Sequence, residues 1–289
     1  MTRVLVTGAA GAIGRAVCLS LRDRVDYCVL QTLHGTTFRD RGEGIYELDL
    51  REPRQVEQLM AASPDCAIHC AARWTGLNDD FTILDDNIRM TSNLARYLPA
   101  TASRLVFLSS SAVSRGLPGT YAVAKACEEQ IVAARCGTTI RYTIWRPYHV
   151  VSPHEAYCPG RSHLVTNLAH AIVERREGQI DVRRNSHAWV RLTWVGDLVA
   201  AMRSDLDETP SNRTYDVGAT GCLTVAQVAE GIAAGAADAG LIEHRPEILV
   251  DTGRPSAPCE AYEPDVCCPT GPLESIRRYL SIRYARVHV

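Results

Sequence analysis

Short apolar segments alternate with longer segments of helical periodicity along the first half of the chain. The short segments are mainly apolar and stop at turn or polar residues, as buried parallel strands do. They lie at 4–6, 27–33, 67–70, 104–109 and 139–145. Apolar residues recur at helical spacing between them, at 12–21, 57–62, 87–98 and 121–135. Strands that alternate with helices predict right-handed crossovers and a parallel sheet covered by helices on both faces.

The alternation becomes less regular in the second half. A helix is predicted at 164–175 and a strand at 215–217, whereas the tail at 252–272 is rich in Pro and Gly and shows little periodicity. The pattern predicts an α/β fold with a Rossmann-type, doubly wound parallel sheet and a smaller C-terminal region. The sheet domain is expected over residues 1–148, with residues 190–218 returning to it, and the second region over residues 149–289.

Composition narrows the function classes. The 289 residues include 31 basic and 33 acidic side chains, so the chain lacks the basic excess that a nucleic-acid-binding surface needs. The chain has no run of about 18 apolar residues, which a membrane-spanning helix would need. The N-terminal MTRVLVTG has no extended apolar stretch of the kind found in a signal peptide. We therefore expect a cytoplasmic protein without nucleic-acid or membrane partners.

Eleven cysteines stand out in this composition. Their spacing is irregular and no export signal precedes them, so free thiols that pack as small apolar side chains are expected. Two groups have the residue types of a metal site: His244 with Cys259, Cys267 and Cys268, and Cys66 with His69 and Cys70. Neither group has the paired CxxC spacing of a zinc site, and no metal is predicted.

A glycine-rich loop follows the first predicted strand and opens the first predicted helix. It reads TGAAGAIG at 7–14. Gly8 allows a tight turn, Gly11 allows the backbone to approach a pyrophosphate, and Gly14 allows the helix to pack closely on the strand. The strand–loop–helix context indicates a dinucleotide site. The cofactor contacts expected from this loop are Gly8, Ala10, Gly11, Ala12, Ile13 and Gly14.

The end of the second predicted strand lacks the carboxylate that often holds the adenosine ribose. The residues there are Gln31 and Thr32, both neutral. A carboxylate would repel a 2′-phosphate, so its absence permits NADP. His34 and Arg39 follow closely and can donate to that phosphate. The pattern favours NADP over NAD.

A tyrosine and a lysine share one face of a predicted helix. Tyr121 and Lys125 are four residues apart in YAVAK, which places them on the same side. A nearby ammonium and a positively charged nicotinamide ring stabilise a phenolate and lower the pKa of a tyrosine. The strand before this helix ends in the serines 109–111, at the sheet edge where parallel sheets bind ligands. A serine there can hold a substrate oxygen while Tyr121 exchanges its proton.

These motifs together resemble the extended short-chain dehydrogenase/reductase family and, within it, the NAD-dependent epimerase/dehydratase group that acts on nucleotide sugars. The resemblance covers nearly the whole chain. It rests on TGAAGAIG (7–14), DL (49–50), HCAA (69–72), Asn87, SSSA (109–112), YAVAK (121–125), RPY (146–148), RLTWVGDL (191–198), YDVG (215–218) and Arg254-Pro255.

The resemblance implies further cofactor contacts. Asp49 and Leu50 would contact adenine, and Ala71 and Ala72 would line the cofactor. Asn87 would help to hold the active-site geometry beside it. The other implied cofactor contacts, some shared with catalysis, are Tyr121, Lys125, Pro147 and Tyr148.

The resemblance also implies residues on the substrate side. Ser111 would be the serine that pairs with Tyr121. Arg191 and Arg254 match positions that grip the substrate diphosphate, and guanidinium groups suit phosphate oxygens. His149 and His163 are further substrate candidates, although His149 stands where the family often has Asn. Such departures leave the identity of the substrate open.

The predicted activity is hydride transfer between NADP or NAD and a carbinol or keto carbon, C4, of a nucleotide-diphosphate sugar. A 4-ketoreductase is preferred, because an epimerase that retains NAD is expected to have a ribose-binding acid. The alternatives that stay open are an epimerase or dehydratase with retained NAD, a reductase of a non-sugar ketone or alcohol, and a non-catalytic NADP-binding sensor. The family commonly dimerises through the Tyr–Lys helix, so the resemblance also implies a homodimer.

Overall fold

The computed structural model describes residues 1–74, 80–136, 139–253 and 263–285. The chain divides into two compact units: Met1–Pro147 with Val199–Asp216, and Tyr148–Leu198 with Val217–Val289. The boundary expected after residue 148 lies beside the break after Pro147. The second segment of the first unit begins at Val199.

The described residues form strands and helices in alternation over the first unit. The strands are β1 (Thr2–Thr7), β2 (Tyr27–His34), β3 (Arg39–Asp40), β4 (Ile45–Leu48), β5 (Cys66–His69), β6 (Arg104–Leu108), β7 (Arg141–Pro147), β8 (His149–Val151), β9 (Gln179–Asp181), β10 (Trp189–Val190), β11 (Leu192–Trp194), β12 (Arg213–Ala219), β13 (Leu223–Thr224), β14 (Glu247–Leu249) and β15 (Val266–Cys268). The α-helices are α1 (Ala12–Arg22), α2 (Pro53–Leu59), α3 (Phe81–Tyr97), α4 (Ser111–Ser114), α5 (Thr120–Cys136), α6 (Leu164–Ala169), α7 (Val195–Asp207), α8 (Val225–Asp238) and α9 (Pro272–Arg283).

The first unit is built on one large sheet. Its strands follow the order β12-β7-β6-β5-β1-β2-β4-β3. The pairings from β4 through β2, β1, β5 and β6 to β7 are parallel, and β3 is an antiparallel edge strand. The chain order reverses at β1, between β2 and β5, and ligands bind outside the carboxyl ends of strands at such a switch point. The predicted doubly wound parallel sheet is confirmed.

Burial explains why these segments form the sheet. Val4, Leu5 and Val6 of β1 are completely buried, as expected for a central strand with helices on both faces. Helix α1 turns Val17 and Leu21 inward, at the spacing of one helical face. A continuous apolar core therefore holds the glycine loop between two fixed elements.

The second unit has small sheets and a separate helical core. In it β8 pairs with β11, β9 with β14 and β10 with β13, and residues 217–219 of β12 pair with β15. Helix α8 begins with a capping box between Thr224 and Gln227, and it packs on α6 and α9. Val228, Ile232 and Tyr279 lie in its buried core.

Two local expectations need correction. The helix predicted at 164–175 is α-helical only to Ala169, and His170–Glu174 form a π-helical turn. The tail at 252–272 contains a strand, β15, which pairs in parallel with β12. Parallel pairing of these strands is non-local, so the local Pro- and Gly-rich pattern does not reveal it.

The described residues contain neither a metal-ligand cluster nor a membrane-spanning helix. Within residues 1–74, 80–136, 139–253 and 263–285, no cluster of three or more His, Cys, Asp or Glu side chains is arranged to hold a metal ion. None of the helices in this part of the chain is long and apolar enough to cross a membrane.

Candidate active site

The glycine loop is sterically committed to glycine at two positions. Gly8 has φ +65°, and a Cβ there would lie 2.8 Å from the backbone of Ala71. A Cβ at Gly14 would lie 2.2 Å from the carbonyl oxygen of Gly8. Gly11 is the N-cap of α1 and has no side-chain cap, so the first N–H groups of the helix remain directed outward. A helix N-terminus beside a glycine cradle fits a dinucleotide pyrophosphate.

The loop after β5 is clamped beside the glycine loop. The Asn87 side chain is completely buried; its Oδ1 accepts from the Arg73 amide at 2.7 Å and its Nδ2 donates to the Arg73 carbonyl at 3.1 Å. The Ala71 amide donates to Thr7 Oγ1 at 3.2 Å. These bonds hold Ala71 and Ala72 next to the glycine loop, in the place where the resemblance puts the cofactor.

The end of β2 differs from the simple sequence picture. Thr32 is buried, and its carbonyl accepts from the Ala9 amide at 3.2 Å, whereas His34 is exposed. Sequence reasoning missed Glu47 on β4, which pairs with β2 and covers Gly35, where a Cβ would lie 2.2 Å from the Glu47 Cγ. An acid therefore stands near the end of β2, supplied by the neighbouring strand.

The Glu47 charge is compensated. Arg41 binds its carboxylate, with Nε 2.7 Å from Oε2, and this contact lowers the pKa of Glu47. Both Arg39 and Gln31 are expected near the adenosine ribose. Arg39 lies on the exposed edge strand β3, and Gln31 is a partly buried residue of β2. Between β2 and β4 the two arginines, Arg39 and Arg41, are balanced by the two acids, Asp40 and Glu43, so this segment carries no net charge.

Asp49 and Leu50 follow β4 and are both buried. Arg51 Nη2 binds Asp49 Oδ2 at 2.7 Å and Arg51 Nη1 binds Asp86 Oδ1 at 3.1 Å, while Arg73 also pairs with Asp86. The hydrogen bonds from Arg51 lower the pKa of Asp49. The carboxylate proposed to meet adenine is thus ionised and held by Arg51, which links it to Asp86, and sequence reasoning singled out neither Arg51 nor Arg73.

Three consecutive serines after β6 have different roles. Ser109 Oγ donates to Glu129, and Ser110 caps α4 by accepting from the Ala112 amide. The Ser111 side chain is buried and makes no hydrogen bond with any residue that the structure describes. Of the three hydroxyls, the one at Ser111 remains available for a ligand.

Tyr121 and Lys125 lie on one face of α5, as predicted. The Lys125 ammonium is 5.9 Å from the centre of the Tyr121 ring and 4.6 Å from that of Phe107. Lys125 is buried and donates to the Leu108 carbonyl at 3.0 Å. The Trp74 ring, unanticipated from sequence, meets Tyr121 edge-on at 4.9 Å.

The electrostatics of Tyr121 differ from the expectation in one respect. Burial raises the pKa of Tyr121, the Lys125 ammonium lowers it, and the Glu128 carboxylate raises it again. Lys125 therefore acts in the predicted direction, but burial outweighs it in the protein alone. A cationic ligand ring beside Tyr121 would add to the effect of Lys125.

An ion pair between Arg146 and Glu129 helps to fix the orientation of α5. Arg146 on β7 binds Glu129 through two bonds, Nε to Oε1 at 2.8 Å and Nη2 to Oε2 at 2.6 Å. Because Ser109 also binds Glu129, the helix is tied to both β6 and β7. Pro147 follows Arg146 and ends β7.

Apart from Ser111, the predicted substrate residues belong to the second unit. Arg191 is buried; its Nη1 donates to the Ala219 carbonyl at 2.7 Å and lies 3.4 Å from Glu263 Oε2. Its guanidinium stands over the Tyr148 ring at 5.4 Å. The arginine is therefore oriented by packing and by a carboxylate rather than free in solvent.

The remaining substrate candidates are less enclosed. His149 begins β8 and is exposed. His163 is the N-cap residue of α6, and its Nδ1 lies 2.8 Å from Glu155 Oε1. Arg254 lies outside the described residues.

A sequence model of the NAD dependent epimerase/dehydratase family matches residues 4–218. Among curated proteins, no sequence matches this chain.

Solved structures resemble the chain over its whole length. UDP-glucose 4-epimerase of Thermotoga maritima, solved with UDP-glucose, has a TM-score of 0.78 at 17% identity, with 99% of each chain covered. The Bordetella bronchiseptica enzyme WbmH, in complex with NAD+, has a TM-score of 0.75 at 17% identity, with 100% of each chain covered. RMD of Pseudomonas aeruginosa, complexed with NADPH, has a TM-score of 0.73 at 20% identity, covering 99% of this chain and 100% of that one. At these identities the likeness establishes the fold.

Proposed function

The chain belongs to the NAD dependent epimerase/dehydratase family, and from that premise we propose that it is an oxidoreductase acting at C4 of a nucleotide-diphosphate sugar. The observation that carries the proposal is the pairing of Tyr121 with the buried Lys125 ammonium on α5. Ser111, with its available hydroxyl, begins α4, which packs against α5. A proton-exchanging phenol, an ammonium and a hydroxyl are the groups that carbonyl–carbinol chemistry needs.

Each of the three residues has a distinct task. Ser111 donates a hydrogen bond to the substrate oxygen and orients it. Tyr121 gives a proton to that oxygen during reduction and takes one during oxidation. Lys125 stabilises the phenolate form of Tyr121 through its charge. The nicotinamide cofactor, when bound, supplies or accepts the hydride.

The cofactor is proposed to lie along the glycine loop. The N–H groups at the start of α1 and the cradle formed by Gly8, Gly11 and Gly14 suit the pyrophosphate. NADP is preferred over NAD. The ion pair with Arg41 compensates Glu47, and exposed His34 and Arg39 can meet a 2′-phosphate.

The substrate is proposed to be held in part by Arg191 and Arg254, whose guanidinium groups match a diphosphate. Arg191 supports this role because Glu263 and Ala219 already orient its guanidinium.

Net reduction of a 4-keto sugar is proposed over epimerisation, since the residues at the end of β2, Gln31 and Thr32, supply no carboxylate that would retain NAD.

A homodimer is proposed as well. Phe81 begins α3 and Val123 lies on α5, and both are exposed apolar side chains on helices that pack together. Such side chains are typical of surfaces that a second copy covers. Sedimentation equilibrium measures this directly, and a monomer at all concentrations would reject it.

The decisive experiment offers the purified protein a panel of 4-keto and 4-hydroxy nucleotide-diphosphate sugars with NADPH and NADH. Tyr121→Phe is expected to reduce turnover by about 10²–10⁴-fold, because the proton donor is lost, while the cofactor dissociation constant is retained. Tyr97→Phe, a partly buried tyrosine at the end of α3, serves as the matched control and keeps full turnover.

The outcomes separate the reactions. Consumption of reduced cofactor with a 4-keto sugar supports the ketoreductase. Sugar isomers formed without net cofactor consumption would identify an epimerase instead. Unimpaired turnover in Tyr121→Phe would reject the assigned chemistry.

A further inference from the structure

A continuous chain of buried polar side chains crosses the first unit from the glycine loop to the Tyr–Lys helix. We define this buried chain as Thr7, His69, Thr91, Glu128 and Lys125, each at most 1% exposed. Thr7 Oγ1 lies 2.6 Å from His69 Nδ1, and His69 Nε2 lies 3.0 Å from Thr91 Oγ1. Thr91 Oγ1 lies 2.6 Å from Glu128 Oε1. Glu128 Oε2 lies 3.3 Å from the Lys125 ammonium. The chain thus joins β1, β5, α3 and α5.

The donors in this buried chain are ordered in one direction. Thr91 has a single hydroxyl proton, which it donates to Glu128, so it accepts from His69 Nε2–H. His69 then accepts at Nδ1 from the Thr7 hydroxyl, and Thr7 accepts in turn from the Ala71 amide. This order assigns a neutral His69, and burial indeed lowers the pKa of His69 to about 3. Each hydrogen bond in the buried chain, from Thr7 onward, is therefore donated in the direction of the Glu128 carboxylate.

The two oxygens of Glu128 have different surroundings. Oε1 accepts the Thr91 hydroxyl, whereas Oε2 makes no hydrogen bond within the described part of the chain and faces the Lys125 ammonium. A proton on Oε2 would point at a cation, so the geometry requires an ionised carboxylate. The next residue, Glu129, is used differently, because it binds Ser109 and Arg146. Glu128 is therefore the buried counter-ion of Lys125.

We propose that Glu128 is a positioning residue that holds the Lys125 ammonium and offsets part of its field at Tyr121, so that it sets how readily Tyr121 gives up its proton. The inference deepens the proposed function and rests on it only for the role of Tyr121 as acid and base. A counter-ion is needed here because an unpaired ammonium would be costly to bury. The same counter-ion weakens the stabilisation that Lys125 gives a phenolate.

Other titratable groups around the pair do not compete with this effect. His69 is neutral, as its hydrogen bonds show. Burial raises the pKa of the Cys70 thiol, so it stays protonated. The charges that act on Tyr121 among the described residues are those of Lys125, which lowers its pKa, and Glu128, which raises it.

The test is a phenolate titration that needs no substrate. Absorbance is measured against pH for a protein and for the same protein carrying Tyr121→Phe, and the difference reports Tyr121 alone. Glu128→Gln is expected to lower the pKa of Tyr121 by about one unit or more, because a like charge is removed. Glu128→Asp keeps the charge and returns the pKa toward the wild-type value. Asp85→Asn, which removes an exposed carboxylate on α3, is the control and leaves the pKa of Tyr121 unchanged.

A second variant covers the possibility that Glu128→Gln does not fold. Replacing both charges, in Lys125→Met with Glu128→Gln, removes the ion pair without leaving a buried charge, and such replacements are tolerated. Because Glu128 offsets only part of the Lys125 field, the pKa of Tyr121 in this double variant is expected to rise above the wild-type value, but by less than in Lys125→Met alone. An equal rise in the two variants would show that Glu128 does not offset Lys125 and would overturn the proposal.

The results also separate this inference from the proposed function. A purely structural role for Glu128 would lower turnover in Glu128→Gln without moving the pKa of Tyr121, and that result overturns the inference. If the nucleotide-sugar panel shows no turnover while Glu128→Gln lowers the pKa, the counter-ion role stands and the proposed substrate class fails. With turnover, the pH profile of Glu128→Gln shifts in the same direction as the titration.

Discussion

Acid is expected to destabilise this protein through one buried imidazole. His69 lies between Thr7 and Thr91, is 1% exposed, and has a pKa that burial lowers to about 3. In the unfolded chain a histidine has a pKa of about 6.5. Between these two values the unfolded state binds a proton that the folded state does not, so stability is complete above the unfolded pKa and falls as the pH drops.

The magnitude follows from that difference. Each pH unit below about 6.5 costs about 1.4 kcal/mol, so lowering the pH from about 7 to about 5 removes about 2 kcal/mol of the free energy of unfolding. Between about pH 7 and pH 5 this loss of stability comes from His69 and not from the ion-paired carboxyls. Ion-paired carboxyls such as Asp49, whose pKa Arg51 lowers, lose their stabilisation only below their ordinary values near about 4.

Urea unfolding, followed by circular dichroism at about pH 7, 6 and 5, measures the effect. His69→Gln is expected to be less stable than the wild type at neutral pH, because part of the hydrogen-bond chain is lost, but to show a flatter pH dependence. His34→Gln, an exposed histidine at the end of β2, is the matched control and keeps the wild-type slope. An equal loss of free energy between pH 7 and pH 5 in His69→Gln and the wild type would refute the reasoning.

Two further predictions concern the cofactor site. Gly14→Ala places a Cβ 2.2 Å from the Gly8 carbonyl oxygen, so the loop must move and the cofactor dissociation constant measured by calorimetry should rise by about tenfold or more. Gly178→Ala, where a Cβ meets nothing within 4 Å, should bind as the wild type does, and unchanged binding in Gly14→Ala would contradict the assigned loop. The dissociation constant should be lower for NADP than for NAD. Arg39→Ala should bring the two dissociation constants closer together, because a cation that can meet the 2′-phosphate is removed. Tighter binding of NAD to the wild type would reverse the cofactor assignment.

The sheet and the glycine loop were predictable because their signals are local. The apolar run at Val4–Val6, the glycines of 7–14 and the apolar face of α1 are adjacent in sequence, and each dictates its own backbone conformation. Tyr121 and Lys125 could be placed on one face for the same reason, since helical spacing alone brings them together.

Pairing between distant segments defeated the same reasoning. β15 pairs with β12, and no local pattern in either segment indicates that the two strands pair. The π-helical turn at His170–Glu174 interrupts a pattern that reads as one helix, because apolar spacing does not distinguish the two hydrogen-bond patterns. Glu47 comes to cover Gly35 only because β4 pairs with β2.

The amino-acid sequence by itself therefore determined the fold class, the glycine cradle and the tyrosine–lysine face, since these depend on periodicity and spacing within short segments. The tertiary structure alone decided which of three serines keeps an available hydroxyl, and which of two neighbouring glutamates meets Lys125. Glu128 and Glu129 are equivalent in sequence, but they point to different strands and helices once α5 is packed. Their charges act on different partners because electrostatic effects depend on distance and burial, which only the folded chain supplies.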